Sequence, residues 1–413
     1  MAVEASGETT APTVAIQRRI AESTAFSIIL ALSFSHLLND MMQSLVPSLY
    51  PLIKNTYGLN FVQIGVITLT MQVTSSMVQP LVGLVADKKP QPYSLTLGMC
   101  ATLAGLLLLA GAVHYLMVLV AVALMGVGSA VFHPEASRVA RIASGGAQRH
   151  GLAQSLFQVG GNIGSATGPI LAALIVIPKG QGTVGWFSCV ALLAMMVLFG
   201  VGTWYRREHP PSRRARHMTA APNLSRRHVA ISLVILLSLV FSKAFYQASL
   251  STYYTFYLMS KFHLSMATSQ VYLFIFLASV AVGTLAGGPI GDRIGRKAVI
   301  WGSILGAVPF ALMLPFADLF WTPILTVLIG ATMASASSAI IVYAIDLVPG
   351  KIGTMAGLFF GLSFGMAGVG AAALGSLADW TSIDTVYRVC AFLPLMGLLT
   401  VFLPDLRRAV RHA

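Results

Sequence analysis

From about residue 25 to residue 404 the chain is apolar almost throughout, and the one long break is the basic stretch 206–228 at its middle. That stretch holds seven arginines and three prolines and shows no helical apolar stripe. A helix needs about 20 apolar residues to cross a ~30 Å hydrocarbon core. Twelve segments meet that length, at approximately 25–53, 61–86, 94–112, 116–139, 151–176, 184–205, 229–258, 266–291, 298–316, 323–346, 352–378 and 383–404. Inside lipid every backbone amide and carbonyl needs an internal partner, so runs of this length read as helices. The expected architecture is an all-α integral membrane protein: an N-terminal tail (1–24), a six-helix bundle (25–205), a linker (206–228), a second six-helix bundle (229–404) and a C-terminal tail (405–413).

Only 9% of the 413 residues are charged, against about 25% in a soluble domain. A water-facing surface cannot be covered by so few charges. The net charge of +13 does not imply nucleic acid, because the basic residues sit in short loops. Of the 26 lysines and arginines, only Lys54, Lys179, Lys261 and Arg388 fall in alternate loops. Lys243 lies within a span. The rest share one side with both termini, which the positive-inside rule makes cytoplasmic. A multi-pass membrane protein with both termini on the cytoplasmic side is expected. Cys100, Cys189 and Cys390 lie in apolar runs without metal-ligand spacing, and the polar N-terminus is unlike a cleaved signal peptide.

The two halves resemble each other. Asp87 and Asp292 are 205 residues apart, Phe34-Ser35-His36 and Phe241-Ser242-Lys243 are 207 apart, and Gly151 and Gly357 are 206 apart. The loop Gly288, Asp292, Arg293, Gly295, Arg296, Lys297 has the pattern G-x-x-x-D-R-x-G-R-K, and Gly83, Asp87 and Lys88 keep part of it. Parallel six-helix repeats with this loop resemble the major facilitator superfamily. The resemblance implies pseudo-two-fold symmetry and alternating access. It also implies a gating role for Gly83, Asp87, Gly288, Asp292, Arg293, Gly295, Arg296 and Lys297, with Arg138 and Arg141 beside them.

In the first span Ser33, His36, Asp40 and Ser44 recur on one helical face, with Asn39 and Gln43 alongside. An aspartate at membrane depth costs at least ~2.5–3.5 kcal/mol, so it faces a wet cavity or a partner. Asp40 beside His36 reads as a proton-carrying pair, or as a structural hydrogen bond pinning the helix. Shifted by 207 residues, the stripe becomes Lys243, Gln247, Ser251 and, a turn on, Tyr254. Symmetry would set the two stripes face to face across a central cavity. Lys243 then reads as the cation for an anionic substrate, or as a structural partner for a carboxylate. His36, Asn39, Gln43, Gln247, Ser251 and Tyr254 are further substrate candidates.

The fourth span carries His133-Pro134-Glu135, two positions about 200° around a helix, so His133 and Glu135 cannot share a ligand. Both are candidates for proton coupling, and Glu135 could equally be half of a salt bridge with Arg138. Gly160, Gly164 and Gly168 followed by Pro169, and Gly357, Gly361 and Gly365, form small-residue grooves for close helix packing. They are expected to serve the interface of the halves.

At finer grain, SHLLNDMMQSL (35–45), VFHPEASRVARIASGG (131–146), HGLAQSLFQVGGNIG (150–164), STYYTFYLM (251–259), GDRIGRKAVIWGSILG (291–306) and AFLPLMGLLTVFLPD (391–405) resemble the fosmidomycin-resistance branch of bacterial drug exporters. That resemblance implies proton-driven efflux, acting as an antiporter, of a small anionic phosphonate, with no cofactor and no metal. The expected partners are the anionic substrate, protons and the bilayer, without nucleic acid, and the chain is expected to work as a monomer. An importer or exchanger of another organic anion and a passive anion channel are the alternatives. No nucleophile–base pair, metal set or phosphate-binding loop marks an enzyme.

Overall fold

A computed structural model describes residues 11–88, 91–144, 150–208, 225–348 and 352–405. These residues are helical apart from short connections. The first half comprises α1 (Ala11–Ser48), α2 (Tyr50–Tyr57), α3 (Phe61–Lys88), α4 (Ser94–Ala110), α5 (Tyr115–Ala143), α6 (His150–Leu171), α7 (Ile177–Lys179) and α8 (Ser188–Glu208). The second comprises α9 (Arg226–Phe262), α10 (Met266–Ile294), α11 (Arg296–Gly306), α12 (Val308–Met313), α13 (Trp321–Leu347), α14 (Ile352–Trp380), α15 (Ile383–Cys390) and a closing 3-10 run over Leu393–Phe402.

Among the described residues, ten helical stretches are long and apolar enough to cross a membrane. The helix Ser94–Ala110 is shorter. The first helix carries Ser33, Ser35, His36, Asn39, Asp40 and Gln43 within its apolar sequence. Met77, Leu97, Phe199, Phe316 and Trp380 all turn outward with more than half of their surface exposed. Such a surface belongs against lipid, and the chain is a multi-pass membrane protein.

Two boundaries differ from expectation. The first helix begins at Ala11, inside the segment expected to be a tail. The basic stretch is helical at both ends. Arg206 and Arg207 occupy the last turn of α8, where the helix dipole favours cations. Arg226 opens α9 behind Ser225, whose Oγ accepts a hydrogen bond from the His228 amide at 3.3 Å. Residues 209–224 lie outside the described residues, as do 406–413 of the C-terminal tail.

Helix α5 runs through Pro134 without a break. Helix α6 carries Pro169, and its ladder widens into a π-turn over Ala172–Val176.

The glycine grooves do different things in the two halves. Gly160, Gly164 and Gly168 were expected at the interface of the halves, but they face α1 within the first half. A Cβ on them would land on the Ser33 carbonyl, the Leu37 carbonyl and the Ser44 hydroxyl. The reason is the polar face of α1, whose donors reach α6 carbonyls that glycine leaves uncovered: Ser33 Oγ donates to Leu156 O at 2.7 Å. Gly357, Gly361 and Gly365 do lie across the halves, against Pro80 and Ser76 of α3, with room of 3.8, 3.2 and 3.3 Å at the Cβ position. At one end α14 also caps α3, where the Asp379 carboxylate accepts from the amides of Phe61 (3.1 Å) and Val62 (2.8 Å). Nearby, Gln270 of α10 donates to the Ser48 carbonyl at 2.8 Å.

This asymmetry predicts opposite outcomes for one substitution. Gly160→Ala should lower stability by roughly 1–3 kcal/mol, because the added methyl meets backbone rather than a movable side chain. Gly357→Ala should be neutral or stabilise by up to about 1 kcal/mol through helix propensity. Thermal unfolding of the purified protein in detergent checks both, and equal melting temperatures would refute the distinction.

Candidate functional site

The polar face of α1 does not open toward the second half. It lies on α6, and α5 closes over it. The Asp40 carboxylate sits between two imidazoles: His36 Nε2 is 3.2 Å from Oδ2, and His133 Nε2 of α5 is 3.5 Å from Oδ1. Asn39 Nδ2 donates to Oδ1 at 3.0 Å. Each ring is fixed by its other nitrogen. Nδ1 of His36 is 2.7 Å from the Phe157 carbonyl, and Nδ1 of His133 is 3.0 Å from the Ser129 carbonyl. A carbonyl only accepts, so the His36 Nδ1 carries hydrogen, while the His133 Nδ1 also lies 3.1 Å from Ser129 Oγ, which can give or take one. Gly161 makes room for the cluster, since a Cβ there would fall on the His36 ring and 2.8 Å from Asp40 Oδ2.

The cluster connects outward on two sides. Ser129 Oγ accepts from Ser75 Oγ at 3.3 Å, and Gln79 Nε2 donates to Ser75 Oγ at 3.4 Å, so a buried hydrogen-bonded row links α3 to α5. The His133 ring meets Phe364 of α14 edge-on at 5.5 Å between centroids. Through this aromatic contact the cluster in the first half touches the second half.

Glu135 points elsewhere, as its spacing from His133 requires. It is buried and holds Arg138 by a two-pronged pair, 2.9 Å to Nε and 2.5 Å to the terminal nitrogen. Arg138 also donates to Tyr205 Oη at 3.1 Å. Glu135 is one half of a salt bridge here. In the second half Arg296 pairs with Asp346, and Lys297 Nζ donates to the Leu403 carbonyl at 2.5 Å. Gly295, between α10 and α11, has φ +101°, a conformation that requires glycine. The side chains of Asp87, Gly83, Gly288, Asp292 and Arg141 lie outside the described residues.

Lys243 stands apart from Asp40. Its Nζ donates to Ser337 Oγ of α13, and among the described residues it pairs with no carboxylate. It opens into a cavity of about 100 Å³ between the halves, lined by Gln158 and Asn162 of α6, by Tyr246 and Gln247 of α9, and by residues of α10 and α13. Gln247 and Lys243 therefore share a cavity, but the face-to-face arrangement with His36 and Asp40 is not formed. The glycines of α6 draw α1 onto that helix and turn its polar row away. Tyr254 is also displaced: it is fully buried, with Oη 3.3 Å from Thr326 Oγ1 inside the second half. Ser251 is half-buried and does not line the cavity. Asn39 and Gln43 are beside Asp40 rather than in it; Gln43 Nε2 is buried without a hydrogen-bond partner.

Gln158, Asn162 and Ser337 are cavity residues that the sequence reading passed over. The signal was present for two of them, as polar residues four apart in the apolar run SLFQVGGNIG. The glycines drew attention instead.

Compared with known proteins, the chain matches the profile of the Major Facilitator Superfamily over residues 32–279 and again over 236–412. It is 59% identical over 384 residues to the fosmidomycin resistance protein of Escherichia coli (strain K12), which covers 93% of this chain and 94% of that protein. It is 41% identical over 386 residues, again 93% and 94% of the two chains, to an uncharacterized MFS-type transporter of Bacillus subtilis (strain 168). A partial likeness, 25% over 219 residues, joins 51% of the chain to 54% of a probable sugar efflux transporter of Helicobacter pylori (strain J99 / ATCC 700824).

The Glu135–Arg138 pair generates a test. Glu135→Gln strands a largely buried guanidinium and should destabilise by roughly 3–5 kcal/mol, whereas the double variant Glu135→Gln/Arg138→Met should recover most of that loss. Unfolding measurements on the single and double variants check it. A single variant as stable as the parent would remove the structural role.

Proposed function

The chain belongs to the major facilitator superfamily, and from that premise we propose that it is a proton-coupled exporter of small organic anions, fosmidomycin among them. In this reading all twelve apolar segments span a bacterial inner membrane, with both termini in the cytoplasm. The segments 25–205 and 229–404 form the two bundles, related by pseudo-two-fold symmetry.

The observation that carries the substrate class is the cavity at Lys243. An ammonium that spends one hydrogen on a neutral serine keeps two for a ligand. The other polar groups lining the cavity are amides and hydroxyls from both halves, with no carboxylate among them. A small anion fits that inventory. Export of fosmidomycin is proposed on the identity with the Escherichia coli resistance protein.

The coupling group in this reading is Asp40 with His36 and His133. A carboxylate at membrane depth, flanked by two imidazoles, changes its hold on both when a proton enters or leaves. His133 stacks edge-on against Phe364 of α14, so a shift of that ring bears on the contact between the halves. The anion, at Lys243, and the proton, at Asp40, occupy different places. They act on each other through the rocking of the bundles. The buried Glu135–Arg138 pair serves structure, and the loop from Gly288 to Lys297, with its partial copy at Gly83 and Asp87, gates one end. No step of bond chemistry is involved, and the protein is proposed to work as a monomer without cofactor.

Purified protein in liposomes under an imposed pH gradient tests the proposal. Fosmidomycin should accumulate against its gradient. Lys243→Gln should reduce uptake at least tenfold, and Asp40→Asn should abolish the dependence on the pH gradient while leaving exchange. Transport that both variants preserve would overturn the assignment. Movement independent of the gradient in the parent protein would replace the exporter with a passive carrier.

A further inference from the structure

We propose that His36, Asp40 and His133 form a binding site for one divalent transition-metal ion of the zinc and cobalt class. The three residues come from two helices, and one ligand atom from each converges within 4.8 Å of the others. Among the described residues no other group of three such side chains does so.

The direction of the nitrogens is the main argument. Nδ1 of each imidazole is held at backbone, at the Phe157 carbonyl for His36 and at the carbonyl and hydroxyl of Ser129 for His133. That leaves Nε2 as the free nitrogen of both rings, and both face one carboxylate. His36 Nε2 makes no hydrogen bond of regular geometry there. Neutral imidazoles so held place lone pairs against lone pairs. A cation among them relieves the repulsion and uses all three as ligands. Donation of the second ring N–H to a carbonyl is also the usual outer support of a metal-bound histidine, since it fixes ring orientation and raises basicity.

Distances agree. With zinc–ligand bonds of 2.0–2.2 Å, neighbouring ligands in a tetrahedron lie about 3.3 Å apart. The two imidazole–carboxylate separations are 3.2 and 3.5 Å, to different oxygens of Asp40, and the ligand atoms lie within 4.8 Å of one another, so the rings close in slightly when an ion binds. Two imidazoles and a carboxylate select zinc, cobalt or nickel over magnesium and calcium, which prefer all-oxygen shells. Three ligands leave one position open. Access is graded: the His36 side chain is 3% exposed, but those of His133 and Asp40 are 10% and 17% exposed, so an ion can reach the open side. On the closed side Gly161 brings the α6 backbone against the pair. The site shares all three residues with the coupling group proposed above, so its test reads metal binding to the purified protein directly, and the transport assay can fail or succeed without deciding it.

The test uses full-length protein without a histidine tag, stripped with chelator in detergent and titrated with Co²⁺. The expected result is one saturable equivalent per chain, with the visible absorption of four- or five-coordinate cobalt, displaced by Zn²⁺. His133→Gln and His36→Gln should each weaken binding at least tenfold, and His228→Gln, at the start of α9, should leave it unchanged. Each variant is compared with the parent by melting temperature, and Asp40→Asn substitutes for any that does not fold. Binding that survives all the cluster variants, a six-coordinate spectrum alone, or the absence of saturable binding to folded parent protein would overturn the proposal.

Discussion

A polar group inside a bilayer has no water to fall back on, and the whole first half of this protein is arranged around that constraint. The polar row of α1 finds its partners on α6 because glycines at 160, 161, 164 and 168 let the two backbones approach closely. Ser33 and His36 then reach the carbonyls of Leu156 and Phe157. Once His36 is held by its Nδ1, its ring can face only Asp40. His133, held in the same way by Ser129, closes the other side. The cluster is therefore a product of helix packing. Where the backbones meet decides which way the charges point.

The two halves put their scarce polar residues to different uses. The first gathers an acid and two imidazoles into a closed knot whose contact with the other half is aromatic. The second leaves a single ammonium lightly held at the edge of a cavity. Had α1 presented Asp40 to Lys243, each would have satisfied the other, and neither would have been available to a ligand. Their separation leaves Lys243 at the cavity and Asp40 in the cluster, with neither neutralising the other. Charge economy of this kind suits a chain in which ionisable groups at membrane depth are costly.

Much of this was legible in the residues. Segment length and hydropathy marked the helices, and the prominence of Asp40, His36, His133 and Lys243 followed from their cost in lipid. The two-position spacing of His133 and Glu135 correctly separated their directions. What could not be read was which neighbour each face meets. An internal repeat suggests that symmetric residues face each other, but the deep groove of α6 captured the α1 stripe locally. Tyr254, which continues the α9 stripe in sequence, is packed inside its own half against Thr326. The contribution of Asn162 and Gln158 was hidden because amides between glycines look like packing residues until a cavity is seen beside them.

The Asp379 cap on α3 has an energetic consequence for any cycle in which that end of the molecule opens. Two charge-assisted hydrogen bonds, to the amides of Phe61 and Val62, act as a latch between the halves. The carboxylate is exposed, so water competes for the same two amides and each bond contributes well under the full value of a buried charge-assisted one. Water has to replace Asp379 at those amides, or new closures at the opposite end have to form as the latch lets go. The two ends then behave as a balance with nearly equal pans, on which a small ion is enough to tip the beam.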